Sequence, residues 1–107
     1  MKVRLVCDHP GEGRFPDFKK GTRVAVKDEC ARFRRWYACD IEEYRTYVPD
    51  VFICEGKLTR DYNPTELTLS KGDIVCVREI VYTWLLAEND RGETGWIPAE
   101  SVVSADG

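Results

Sequence analysis

The same series of short motifs is written twice along this chain, in the same order, and that repetition limits the folds open to it more than any other feature. Leu5-Val6-Cys7-Asp8-His9-Pro10 aligns with Leu58-Thr59-Arg60-Asp61-Tyr62-Asn63, and Lys20-Gly21-Thr22-Arg23-Val24-Ala25-Val26 with Lys71-Gly72-Asp73-Ile74-Val75-Cys76-Val77. Trp36-Tyr37-Ala38-Cys39 then meets Trp84-Leu85-Leu86-Ala87, and Tyr47-Val48-Pro49 meets Trp96-Ile97-Pro98, with the offset drifting only between 48 and 53 residues. A period of this size marks a duplicated supersecondary unit. The 107 residues therefore divide into two small domains, 1–55 and 56–107, where length alone suggests one.

Each copy reads as short strands separated by turn signals. In the first, residues 3–7 form a strand, and Pro10, Gly11, Gly13 and Pro16 forbid regular structure in the polar loop after it. Lys20-Gly21 turns the chain into a half-buried strand over 22–27, where Val24 and Val26 alternate with Arg23 and Ala25. Strands over 36–41 and 44–48 follow, and Asp50 after Pro49 is placed to cap one short 3₁₀ turn. In the second copy, Asn89-Asp90-Arg91-Gly92 joins two apolar runs as a tight hairpin turn. The expected core of that copy is Leu58, Leu67, Leu69, Val75, Val77, Ala87, Ile97 and Val102. No stretch holds a 3.6-residue period between caps, so almost no α-helix is expected. Glu55-Gly56-Lys57 is the linker between the copies, too short for a free tether.

Composition bounds the function. Apolar runs are only a few residues long and none follows Lys2 as a leader would, so no membrane span is expected and a cytoplasmic setting is the default. Five cysteines without C-x-x-C spacing read as free thiols, and no metal or other cofactor is expected. The net charge of −3 speaks against a nucleic-acid partner. The first half carries +1 and the second −4. One histidine, no G-x-S-x-G and no phosphate-binding glycine loop leave no catalytic constellation, so the chain is expected not to be an enzyme.

In order and spacing, residues 57–103 resemble the Src homology 3 (SH3) family from end to end, and residues 3–54 resemble it more distantly. The resemblance implies an all-β fold of two small SH3-like β-barrels in tandem. It also implies an aromatic groove in each that receives extended, proline-rich segments, whose polyproline II form is already ordered before binding. Carried over residue by residue, the groove of the second copy comprises Tyr62, Trp84 and Pro98, with Glu66 where the family places the acid that pairs with a ligand Arg or Lys; Trp96 is counted with them as a candidate, its commoner role being that of a wall residue. Arg60 and Ser101 stand where two groove tyrosines belong. In the first copy the groove comprises Trp36, Pro49 and Phe52, with Cys7 and His9 in place of the motif tyrosines. Arg32, Arg34 and Arg35 beside Trp36 favour an acidic ligand there.

The resemblance thus implies a non-enzymatic interaction module or adaptor with a protein or peptide partner. The alternative is structural: the same aromatic grooves lie buried between the two barrels or in a homodimer, with no free peptide site.

Overall fold

The computed structural model describes residues 1–11 and 13–105. It is all-β, with ten strands and two 3₁₀ turns among the described residues. In chain order the strands are β1 (Lys2–Leu5), β2 (Ala25–Glu29), β3 (Trp36–Ile41), β4 (Tyr44–Pro49), β5 (Ile53–Cys54), β6 (Lys57–Leu58), β7 (Ile74–Val81), β8 (Trp84–Glu88), β9 (Thr94–Pro98) and β10 (Val102–Ser104). The 3₁₀ turns, Asp50–Phe52 and Ala99–Ser101, each follow a proline that ends a strand. Proline has no N–H to extend a ladder, and its fixed φ suits the entry to a helical turn.

Two compact units are present, and their boundary does not fall between residues 55 and 56. One unit is Met1–Arg14 together with Thr65–Gly107; the other is Phe15–Pro64. The expected linker is the reason. Glu55 and Gly56 both have positive φ, 52° and 72°, the pair of left-handed conformations that a two-residue type I′ hairpin turn requires. Glycine takes such a φ at no steric cost. The turn folds β6 straight back onto β5, with Cys54 opposite Lys57 and Ile53 opposite Leu58. Residues 57–62 are thereby committed to the unit that precedes them.

In the Phe15–Pro64 unit, β2, β3 and β4 form an antiparallel meander. Residues 21–24 run along β6, with hydrogen bonds from Leu58 N to Thr22 O, from Gly21 N to Leu58 O and from Val24 N to Gly56 O. Phe18 and Tyr62 exchange both backbone hydrogen bonds.

In the other unit, β1 lies between β7 and β10 in a five-stranded sheet ordered β10-β1-β7-β8-β9. Val3 is opposite Val75 on one side and Ser104 on the other. Its core is Val3, Leu5, Leu67, Leu69, Val75, Leu85, Ala87 and Ile97, flanked by Val77, Ala99 and Val102. Of the expected core, Leu67, Leu69, Val75, Ala87 and Ile97 are in this cluster, Val77 and Val102 only flank it, Val3 and Leu5 occupy the place assigned to Leu58, and Leu85 is added. The leading segment of each sequence repeat is thus housed with the body of the other. The two segments carry the same Leu-x-x-Asp pattern, so either one can supply the same apolar face.

Candidate functional site

The candidate residues fall into two groups. His9, Glu66, Trp84, Trp96 and Pro98 belong to the unit of Met1–Arg14 and Thr65–Gly107, and Trp36, Pro49, Phe52 and Tyr62 to Phe15–Pro64. Tyr62 is therefore not grouped with Trp84, with which the motif pairs it, and His9 takes that place.

In the first of these units, the chain leaving β1 is pinned before it reaches His9. Gly72 N donates to Leu5 O, and the Asp8 carboxylate accepts the Lys71 amide at 2.8 Å. His9 then exchanges both backbone hydrogen bonds with Leu69. This sets the imidazole against the 65–69 segment: Nδ1 lies 2.8 Å from Leu67 O and Nε2 lies 3.0 Å from Glu66 Oε1. The ring stands 6.3 Å from the Trp84 indole at 70°, an edge-to-face contact.

Glu66 is placed by backbone packing. Thr65 O accepts from Trp96 N, and Trp96 O accepts from Leu67 N. A Cβ on Gly95 would lie 2.7 Å from Leu67 N, so this close approach of β9 to the segment is open only to glycine. Trp84 opens β8 opposite Pro98 and is half-buried, while Trp96 is buried beneath the acid-bearing segment. The arrangement is a half-buried indole and a partly exposed carboxylate, each in contact with the His9 imidazole.

In the Phe15–Pro64 unit the corresponding residues are closed off. Trp36 is 4% exposed, Phe52 4% and Tyr62 5%, and Pro49 is buried. Tyr62 Oη donates to Tyr47 O at 2.7 Å, Phe52 packs edge-on to Tyr62 at 5.4 Å, and the Arg60 guanidinium lies 4.5 Å from the centroid of the Phe52 ring. Of the arginines expected to draw an acidic ligand, Arg35 pairs with Asp50 at 2.7 Å and Arg32 lies over Phe33.

Sequence reasoning missed the ion pair of His9 with Glu66, since nothing local links residues so distant in the chain. The titration shifts lie elsewhere. Burial, reinforced by the Asp40 charge, pushes the Cys39 thiol up to about 11, which makes it a poor nucleophile. Asp40 is held below the usual carboxylate range by its hydrogen bond from Arg45, and Glu93 by its bond from Asn89 and then the Arg91 charge. No group of three or more His, Cys, Asp or Glu among the described residues is placed to hold a metal ion.

Neither curated proteins nor solved structures yield a match. The family model described as "Variant SH3 domain" matches residues 51–104. That span takes in the Lys57–Leu58 leading segment and β7 to β10 in linear order, although the fold seats Lys2–Leu5 on β7 in its stead. With just over half of its length covered by that match, the chain belongs to the variant SH3 domain family.

Proposed function

We propose that the chain is a non-enzymatic protein-interaction module built as two SH3-like barrels that have exchanged leading segments. The unit holding Trp84 receives an extended, proline-rich peptide across Trp84 and Pro98, with Glu66 beside them. SH3-type domains in general serve as interaction modules, which gives the reading its class. The observation that carries it is the contrast in exposure: Trp84 is half-buried and in contact with His9, whose ring also meets the partly exposed Glu66 carboxylate, whereas Trp36, Phe52 and Tyr62 are each 5% exposed or less.

That contrast also favours a division of labour. The aromatic residues of Phe15–Pro64 form part of a core, so this unit has a structural role and no open groove. Titrating the full chain with proline-rich peptides, read at the three tryptophan indoles by NMR, tests both halves. Movement of Trp84 with Trp36 unmoved is expected. Peptides that leave Trp84 unmoved at millimolar concentration refute the groove, and peptides that move Trp36 alone refute the division.

A further inference from the structure

Both ring nitrogens of His9 face atoms that only accept. Leu67 O is a carbonyl, and Glu66 presents a carboxylate oxygen. A neutral imidazole carries one N–H. Placed on Nδ1, it satisfies Leu67 O and leaves the Nε2 lone pair against a carboxylate oxygen 3.0 Å away; placed on Nε2, it leaves the Nδ1 lone pair against the carbonyl at 2.8 Å. The imidazolium alone satisfies both contacts. The ring has little freedom to turn aside, because its side chain is only 12% exposed and its backbone is bonded on both sides to Leu69.

We infer that His9 is a proton-operated specificity determinant for the Trp84 groove, deciding whether Glu66 is free to take a cationic side chain from a ligand. This rests on the groove reading above. With the imidazolium seated, Glu66 is already neutralised from within, and a ligand arginine or lysine gains little from it. With the proton gone, a full negative charge stands beside an aromatic face, a combination that selects a guanidinium or ammonium group. Glu66 faces the ring from the 65–69 segment, β8 contributes the uncharged Trp84 indole, and Asp8 on the segment of His9 itself is turned to the Lys71 amide. Histidine is the side chain whose ordinary titration falls between pH 5 and 8, and two acceptors against the ring favour its charged form.

Two proline-rich peptides that are identical except for one arginine replaced by citrulline, its uncharged analogue, provide the test. Both are titrated into the full chain at about pH 5.5 and 7.5, on either side of the histidine range, at fixed ionic strength. The arginine peptide should bind no better than the citrulline one at the lower pH and about fivefold better at the higher, the size of one partly exposed charge pair. His9→Gln should show the higher preference at both pH values, and Glu66→Gln should show none at either. Should His9→Gln fail to fold, the native chain and Glu66→Gln still decide. If both peptides bind but the preference ignores pH, or if the ring nitrogen shifts report a neutral imidazole at the lower pH, the role of His9 is overturned while the groove stands. If neither peptide moves the Trp84 indole, the groove itself is refuted and the role of His9 goes with it.

Discussion

Truncating Leu5 distinguishes the observed pairing from the linear one. Leu5 is 1% exposed and sits in a cluster with Val3, Leu67, Leu69, Val75, Leu85, Ala87 and Ile97. Leu→Ala at such a site removes the transfer energy of the lost atoms and leaves a cavity, which together cost about 2–5 kcal/mol. At about 3 kcal/mol the opening equilibrium shifts on the order of a hundredfold, a large share of what a unit of this size can hold. Native-state hydrogen exchange reads the shift residue by residue. In Leu5→Ala, protection should fall about a hundredfold at Val75, Leu85 and Ile97, with a smaller loss at Cys39 and Val48. Leu58→Ala should invert the pattern, since Leu58 is 2% exposed and belongs with β2 to β5. If Leu5→Ala strips protection from β3 and β4 and spares β7 to β9, the assignment of the leading strands is refuted.

Gly95→Ala forces a Cβ to within 2.7 Å of Leu67 N and 2.9 Å of Leu67 Cγ; overpacking of this kind should cost about 1–3 kcal/mol, measured by thermal melting, and weaken peptide binding by moving Glu66. Tyr62→Phe removes the bond to Tyr47 O and should cost roughly 1 kcal/mol in denaturant melts, with the Trp84 indole shift unchanged because the two residues belong to different units. Cys39 should resist thiol reagents at about pH 8 in the native chain while the exposed Cys7 and Cys54 react, a difference read by mass spectrometry. Its raised pKa means that the fold favours the protonated thiol. The resulting stability is whole below the ordinary thiol value of 9.0 and is lost as pH rises through about 11, a component that should be missing from the melts of Cys39→Ala.

Strand positions were the most legible part of this chain. The Trp-led runs, the aromatic-x-Pro pairs and the 3₁₀ turn after Pro49 stand where residue chemistry puts them, with β3 matching its expected span of 36–41, whereas the half-buried strand expected over 22–27 is instead Ala25–Glu29, exposed along its length with Val26 among the exposed residues. The partner of each leading strand was not legible from the motifs, because Leu5 and Leu58 open the same pattern and offer a core the same side chain. The deciding signal was present but local: Ile53-Cys54, Glu55-Gly56 and Lys57-Leu58 have the form of a hairpin, and turn geometry outweighs motif order. The same hairpin places Tyr62 in the Phe15–Pro64 unit, apart from Trp84. In β8, Leu85 and Ala87 are buried while Trp84 and Leu86 are half-buried, an alternation that the Trp-led motif does not itself display.

The placement of β1 also sets an order of events during synthesis. Residues 15–64 are contiguous, and their strands find their partners within a short stretch of chain. Val3, by contrast, must wait for Val75 and then for Ser104, across almost the whole length of the polypeptide. Loop closure of that span is entropically costly, and non-local pairing is slow. As the chain leaves the ribosome, the Phe15–Pro64 unit can therefore close while β1 is still unpaired, and the five-stranded sheet is completed only when β10 arrives.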